Sequence, residues 1–223
     1  MLPLAVLRPE PGWSATAAAA RALGLKVIGA PLFEIVALAW DAPDAVDAVL
    51  RGSANAVRHA GSALAAFLDK PAYAVGEATA AAARVAGFAT IVTGTDDLAA
   101  LASRIAPAHR RLLRLAGRER IALPLLPGHE TIERSVYAAE PGPLRNVAVP
   151  AVVALHSAGA AAHFAVECDR LGLPRAALKL AALAPQVAAA AGTGWAEWRS
   201  AELPTDAALL ALACDMCETP GEV

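Results

Sequence analysis

Small polar residues follow four apolar segments of the chain, and these turns have the most evident chemical potential in the sequence. They are Ser53-Ala-Asn55, Gly76-Glu-Ala-Thr79, Ser157-Ala-Gly159 and Pro185-Gln-Val187. Taken one at a time, their hydroxyl residues are ordinary helix N-caps. In an open α/β sheet, however, such strand-to-helix turns border the ligand crevice, and the helix N-termini that follow offer free N–H groups to anions. Together the turns predict a binding site for a large polyanion, built from backbone donors instead of lysines.

These turns require a strand before them and a helix after them, and the sequence supplies both. Hydrophobic residues make up 57% of the chain and aromatic residues only 4%, because much of the apolar content is alanine. Alanine is the best intrinsic helix former. Short β-type runs such as Ala72–Val75 alternate with alanine-rich stretches such as Ser14–Leu23, for which Ser14 is the predicted N-cap. This alternation is typical of a parallel sheet covered by helices.

The second half of the chain repeats the first. Residues 47–56 and 151–160 share the order of strand, small polar turn and helix, and the unit that follows each of them repeats as well. The predicted fold class is therefore α/β, with two similar three-layer α/β domains that have parallel sheets and a cleft between them. The predicted boundaries are 1–32 plus 144–223 for the first domain, 41–132 for the second, and 33–40 with 133–143 for a two-stranded β ladder that joins them.

Charge and motif content exclude several classes of function. The 19 Lys and Arg residues against 21 Asp and Glu residues give a net charge of −2, whereas nucleic-acid binding needs a basic face. The chain has no G-x-x-x-x-G-K phosphate loop, and its five His residues have no metal-ligand spacing, so we predict no metal site. Its three Cys residues form no disulfide framework, and Cys214 and Cys217 are predicted to be two thiols on a terminal helix.

The apolar pattern predicts neither a signal peptide nor a membrane-spanning helix. The N-terminal segment lacks the basic start and long apolar stretch of a signal peptide. No run approaches the roughly 20 apolar residues that a membrane-spanning helix needs. We therefore expect a cytoplasmic location, with neither a membrane nor a nucleic acid as partner.

A series of short motifs extends along almost the whole chain. The motifs are Leu7-Arg-Pro-Glu-Pro-Gly12, Ala22-Leu-Gly24, Ala30-Pro-Leu-Phe-Glu-Ile-Val36, Ser53-Ala-Asn-Ala-Val57, Ala74-Val-Gly-Glu-Ala-Thr-Ala80, Leu115-Ala-Gly117, Val136-Tyr137, Leu155-His-Ser157, Gly194-Trp195 and Ala201-x-x-Pro204. In this order and spacing they resemble the uroporphyrinogen-III synthase family. Each motif is weak alone, and their combination carries the resemblance.

The resemblance implies an enzyme that works as a monomer without cofactor or metal. Its implied substrate is hydroxymethylbilane, a linear tetrapyrrole octaacid, which is cyclised to uroporphyrinogen III with loss of water and inversion of ring D. Tyr137 matches the residue that the family favours as proton donor to the departing hydroxyl. The chain's other tyrosine, Tyr73, is the competitor for this role, but it lies on a predicted buried strand and is expected to belong to the core.

The substrate-binding positions combine the resemblance with the four turns. They are Ser53, Ala54, Gly76, Thr79, Ser157, Ala158, Gln186, Val187, Arg8 and Arg118. The chain departs from the family pattern at Gly52, where a Thr is common, and at Ala184, where Ser or Gly is usual. These departures remove hydroxyl groups. They leave open the alternative of a non-catalytic member of the same family that binds a polyanion or a tetrapyrrole.

Overall fold

The computed structural model describes residues 1–94, 98–120, 122 and 127–218. The chain divides into two compact units. Unit 1 is formed by Met1–Glu34 together with Glu140–Val223, and unit 2 by Ile35–Ala139. Unit 1 is therefore discontinuous in sequence, with unit 2 inserted into it.

Strands and helices alternate along most of the described chain. In order they are β1 Leu4–Val6, α1 Gly12–Ala22, β2 Val27–Ile28, β3 Phe33–Ala37, β4 Ala48–Arg51, α2 Ala54–Arg58, β5 Ala72–Val75, α3 Glu77–Val85, β6 Ile91–Gly94, α4 Leu98–Ala102, β7 Arg111–Gly117, β8 Glu130–Pro141, β9 Ala151–Leu155, α5 Ala158–Leu171, β10 Leu178–Ala182, α6 Pro185–Ala190, β11 Glu197–Ser200 and α7 Asp206–Glu218. Two short 3-10 helices cover Ser62–Phe67 and Arg175–Ala177.

Unit 1 contains a five-stranded sheet in the order β2-β1-β9-β10-β11. All of its strand pairs are parallel. Alternate residues of β9 enter different apolar clusters, since Val153 packs with Phe164 of α5 whereas Val152 packs with Leu209 of α7. Helices therefore cover both faces of this sheet, which explains why β9 is apolar throughout.

Unit 2 supplies most of a six-stranded sheet in the order β3-β8-β7-β4-β5-β6. The pairs from β8 to β6 are parallel. The edge strand β3 runs against β8 in the opposite sense, because Leu38 donates its N–H to the Val136 carbonyl while Gly142 donates to the Leu32 carbonyl. The predicted α/β class with parallel sheets is confirmed.

Two predicted helix N-caps, Ser14 and Thr79, are wrong. Helix α1 begins at Gly12, so that Ser14 lies inside its first turn, and the Glu10 carboxylate accepts the N–H of Ser14 at 3.1 Å. A backbone N–H in the first turn of α1 is therefore satisfied by an earlier acidic residue, Glu10, and not by the predicted serine cap. In the same way α3 begins at Glu77 after Gly76, whose φ of 73° lies in the left-handed region that favours glycine. Thr79 is then inside the helix and does not cap it.

Candidate functional site

A cavity of about 160 Å³ lies within unit 2, where the strand order reverses. The chain passes from β4 to β5 and β6 on one side of β4, then returns to β7 on its other side. Ligands of open α/β sheets bind at such a reversal, beyond the carboxyl ends of the strands. The residues that line the cavity are Gly52, Ser53, Arg114, Ala116, Gly117, Glu119, Arg120 and Tyr137.

Tyr137 reaches this cavity because of an irregularity in β8. Strands β7 and β8 pair residue for residue until Ala116 faces Ser135, and then Gly117 faces Tyr137, which leaves Val136 as an extra residue. Val136 and Tyr137 consequently both contact the apolar cluster beneath α2 and α3. The Tyr137 carbonyl accepts the N–H of Arg118 at 2.8 Å, which fixes the backbone at this point.

His59 lies next to the Tyr137 ring. The two ring centroids are 6.3 Å apart, with the ring planes tilted by 41°. Burial, helped by the charge of Arg58, lowers the pKa of His59. The lowered pKa favours the neutral form of the imidazole beside the phenol.

Ser53 forms the part of the cavity wall that follows β4. It is the N-cap of α2, and its Oγ accepts the N–H of Asn55 at 3.1 Å. The hydroxyl hydrogen of Ser53 remains able to donate to a bound group, since a hydroxyl accepts and donates at once. Ala54 is the first residue of α2 and is half-buried. Ser53 lines the cavity and Ala54 is the residue next to it in sequence, and the substrate contacts of both stay predictions.

Three charged residues form a network beside the cavity. The Glu133 carboxylate accepts from Nη1 of Arg114 at 2.6 Å and from Nε of Arg120 at 2.9 Å. Burial alone would raise the pKa of Glu133, but the hydrogen bonds from these two arginines outweigh it and hold the pKa below its usual value. Arg120 also donates to the Gly117 carbonyl at 3.3 Å and to the Ser135 hydroxyl at 3.0 Å. The network therefore ties the segment after β7 to the wall of the cavity.

Arg118 contributes to this region in a way that the sequence did not predict. Its side chain is exposed, and its backbone N–H is the group that holds the Tyr137 carbonyl. The predicted contact between its guanidinium and the substrate is not tested by the structure.

Gly76 and Thr79 occupy the start of α3. Gly76 is half-buried, whereas Thr79 is only 4% exposed. A side chain buried to this degree contacts its own core, so a direct bond from Thr79 to a ligand would require the helix to shift. Gly76 keeps the predicted position at a strand-to-helix turn, and its contact with a substrate stays a prediction.

The predicted residues of unit 1 lie at two further turns. Ser157 is the N-cap of α5, with its Oγ accepting the N–H of Ala160 at 3.2 Å, and both Ser157 and Ala158 are exposed. Gln186 is exposed in the first turn of α6. Val187 differs, because its side chain is 5% exposed in the core and its N–H is bonded to the Ala184 carbonyl at 3.0 Å. Neither group of Val187 is available to a ligand.

The reversal of strand order in unit 1, between β1 and β9, is occupied by a cluster of polar side chains. The Asp206 carboxylate lies 2.8 Å from Nε2 of His156. It also accepts hydrogen bonds from the hydroxyl of Thr16 at 2.8 Å and from Nη1 of Arg8 at 3.3 Å. Arg8 also donates to the Thr16 hydroxyl at 3.1 Å. Burial lowers the pKa of His156 more than its bond to Asp206 raises it. The predicted substrate contact of Arg8 therefore competes with an internal ion pair.

Some residues of interest were missed from the sequence. Glu133 and Arg114 belong to the charge network, yet no pattern distinguished them from neighbours on the same strands. Gly117 belongs to one of the family motifs, but the sequence did not indicate that it lines a cavity. Tyr73 is a core residue, as predicted. It is 2% exposed, and its hydroxyl lies 2.9 Å from Nδ1 of His109.

Among the described residues, no cluster of His, Cys, Asp or Glu could hold a metal ion. Within the same ranges, no helix combines the length and apolar character needed to cross a membrane.

Comparisons with known proteins agree on one family. The family model described as uroporphyrinogen-III synthase HemD matches residues 14–211. The fold is similar to uroporphyrinogen-III synthetase from Helicobacter pylori 26695, with a TM-score of 0.67 and 16% identity over 97% of this chain and 100% of that one. It is also similar to a mutant uroporphyrinogen III synthase from the extremely thermophilic bacterium Thermus thermophilus, with a TM-score of 0.54 and 16% identity over 98% and 100% of the two chains. A search of curated protein sequences found no match.

Proposed function

The chain belongs to the uroporphyrinogen-III synthase family, and we propose that it closes hydroxymethylbilane into uroporphyrinogen III through the cavity of unit 2. The reaction removes water and inverts ring D, which makes the enzyme a lyase. The observation that supports this site is the Tyr137 phenol, which lies in the cavity wall together with Ser53 at the reversal of strand order.

Tyr137 is the proposed proton donor. The hydroxyl on the ring-A hydroxymethyl group leaves as water once it gains a proton, and the pyrrole nitrogen supplies the electrons that expel it. A neutral phenol within hydrogen-bond reach of the leaving oxygen meets that need. The substituted carbon of ring D then attacks, and the spiro intermediate fragments and recloses with ring D inverted. The protein's further task is to hold the bilane curled so that rings A and D meet.

Ser53 and the charge network provide the polar part of the proposed site. The Ser53 hydroxyl is a donor for a substrate carboxylate, and Arg120 is one third exposed at 32% beside it. Because Arg120 already bonds to Glu133, we assign it the role of holding the cavity wall and expect a weaker direct contact with substrate. The contacts predicted for Ser157, Ala158 and Gln186 stay predictions that concern unit 1 alone.

The loss of hydroxyls at Gly52 and Ala184 suggested a non-catalytic member of the family. The cavity nevertheless retains two hydroxyls, those of Ser53 and Tyr137. Gly52 lines the cavity without a side chain, so it enlarges the space available to a pyrrole ring instead of removing a group that the chemistry needs. These features favour the enzyme.

The test is to incubate the purified protein with enzymatically generated hydroxymethylbilane and to determine the product isomer after oxidation to the porphyrin. We expect the type III isomer, at a rate well above that of spontaneous closure. A product that contains only the spontaneous type I isomer overturns the proposed activity and leaves a binding protein. The monomeric state and the cytoplasmic location belong to the same proposal, and sedimentation of the purified protein tests the first of them.

A further inference from the structure

Gly117 ends β7 in a conformation that does not require glycine. Its φ lies outside the left-handed region, unlike the φ of Gly76 at 73°. The residue is buried and belongs to a strand of otherwise ordinary side chains. An alanine would therefore fit the backbone here, and the reason for glycine has to be sought in its surroundings.

The space beside Gly117 is filled by the ring of Tyr137. A Cβ added to Gly117 would lie 2.8 Å from Cζ of Tyr137, 3.0 Å from its Cε2 and 3.0 Å from its phenol oxygen. These are the three nearest atoms, and all of them belong to the hydroxyl end of the tyrosine. Carbon atoms in contact prefer separations of about 3.5–4.0 Å. The phenol therefore occupies the space that a Cβ of residue 117 would need, and any side chain at this position would displace the phenol.

The irregular pairing of β7 and β8 makes this contact possible. Because Val136 is the extra residue, Tyr137 faces Gly117 directly across the two strands. The N–H of Arg118 holds the Tyr137 carbonyl at 2.8 Å, so the backbone of the tyrosine cannot slide away from its neighbour. The centroid of the His59 ring lies 6.3 Å from that of the tyrosine ring. The position of the phenol thus depends on the missing side chain of Gly117 and on its neighbours Arg118 and His59.

We propose that Gly117 is a positioning residue for the reaction, with the specific role of admitting the Tyr137 phenol into the cavity at the height where it meets the leaving hydroxyl. The inference rests on the proposed function, since it assumes that the Tyr137 hydroxyl takes part in the chemistry. Gly117 itself contributes no atom to the substrate's reaction. Its contribution is the absence of a Cβ at 2.8 Å from the ring.

The test is a cycle of Gly117→Ala, Tyr137→Phe and the double variant, measured as kcat and KM with hydroxymethylbilane. We expect Gly117→Ala to lower kcat by about tenfold to a hundredfold, at most the loss expected on removing the general acid, with little change in KM. In the Tyr137→Phe background, the same alanine should change kcat by less than about twofold, because no hydroxyl is left to displace. Gly142→Ala is the matched control, since its Cβ would meet nothing nearer than the Leu32 carbonyl oxygen at 3.7 Å.

Each outcome of the cycle is decisive. If Tyr137→Phe is slow but Gly117→Ala turns over at the wild-type rate, the inference fails while the proposed function stands. If the two kcat losses multiply in the double variant, Gly117 acts independently of the hydroxyl and the inference fails as well. If Tyr137→Phe itself keeps the wild-type rate, the proton-donor assignment fails first and the role of Gly117 with it.

A folding defect in Gly117→Ala has its own control. Removing the ring with Tyr137→Ala opens the space that a Cβ at position 117 would enter. Gly117→Ala should then cost no further free energy of unfolding in urea. A loss of stability that persists without the ring shows that Gly117 serves the fold and overturns the inference.

Discussion

The two units place polar residues at the same topological position and use them differently. In unit 2 the reversal between β4 and β7 holds a cavity whose wall includes the Tyr137 and Ser53 hydroxyls. In unit 1 the reversal between β1 and β9 holds Asp206, on which the polar groups of Arg8, Thr16 and His156 converge. In unit 2 two hydroxyl residues line a cavity, whereas in unit 1 the donors are satisfied by a carboxylate of the protein.

The difference shows that a sheet's reversal point is only a potential ligand site. Hydrogen-bond donors at such a point can bind an anion only when no hydrogen-bond acceptor of the protein already satisfies them. Asp206 is that acceptor in unit 1, since its carboxylate accepts from three side chains. We infer that the chemistry belongs to unit 2 and that the cluster in unit 1 stabilises the fold.

The largest expected effect comes from Tyr137→Phe, with Tyr73→Phe as its matched control. The first change removes the proposed proton donor while keeping the ring, and should lower kcat by about a hundredfold, the low end for general-acid catalysis because the pyrrole assists. The second removes a hydroxyl that bonds to His109 and to the N–H of Ala106 in the core, so it should lower stability and leave kcat unchanged. Steady-state rates and urea unfolding of both variants provide the measurement. Equal kcat losses in the two would contradict the assignment.

The next effect is expected from Asp206→Asn in unit 1. The substitution removes the charge on which Arg8 and His156 converge, and it should lower the free energy of unfolding by about 2 kcal/mol, within the range for hydrogen bonds to charged groups. At temperatures where the variant is folded, kcat should equal that of the wild type. Denaturant titration and saturating-substrate assays measure the two quantities. A tenfold loss of kcat in fully folded protein would place the unit 1 cluster in the chemistry and break the comparison.

An effect of similar size and opposite sign is expected from Arg51→Met. Arg51 is 0% exposed in unit 2, and its three guanidinium nitrogens have no hydrogen-bond partner among the described residues, although the group stacks on Phe88 with its Cζ 3.7 Å from the ring centroid. Unit 1 differs, because its buried Lys179 pairs with Glu197 at 3.1 Å. Methionine has a similar length without the charge, so the free energy of unfolding should rise by about 1–3 kcal/mol.

The pH dependence of this gain distinguishes charge from packing. Burial lowers the pKa of Arg51 to about 9, well below the ordinary value for arginine. Above pH 9 the unfolded chain holds a proton that the folded chain has lost, so wild-type stability recovers as the pH rises. The advantage of Arg51→Met should therefore be full at pH 8 and shrink toward pH 10.5 in urea titrations. An advantage that stays constant over this range would assign the effect to packing.

The smallest effects are expected from two serines at equivalent turns. Ser53 caps α2 and Ser157 caps α5, each by accepting one backbone N–H with its hydroxyl oxygen. Alanine at either position should lower the free energy of unfolding by about 1 kcal/mol. Only Ser53→Ala should also raise KM by a few-fold, because Ser53 lines the cavity. An equal rise in KM for Ser157→Ala would show that the α5 turn of unit 1 shares in substrate binding.

Sequence reasoning recovered the features that depend on local pattern. Strand β5 has the predicted bounds Ala72–Val75, and the serine turns at Ser53 and Ser157 do cap helices as their type and position indicated. A short apolar run followed by a serine and an alanine-rich stretch contains all the information that these features need. The family resemblance likewise depended on the order of such local motifs.

Two kinds of feature were not predictable, namely the residue at which a helix starts and the contacts between distant segments. At the helix starts, the Glu10 carboxylate accepts the N–H of Ser14, and the Ala184 carbonyl accepts the N–H of Val187. Gly117 meets Tyr137 because β8 carries an extra residue, which no pattern in either strand indicates. Arg51 ends an apolar strand, where a solvated position is the ordinary expectation.

The insertion of unit 2 into unit 1 sets an order of events during synthesis. Strand β1 leaves the ribosome early, but its central partner β9 follows only after all of unit 2 has been made. Unit 2 has every strand of its parallel sheet once β8 has emerged, so it can fold while β1 and β2 still wait for β9. The sheet of unit 1 can therefore form only after β9 has been made, whereas the parallel sheet of unit 2 depends on no strand that follows β8.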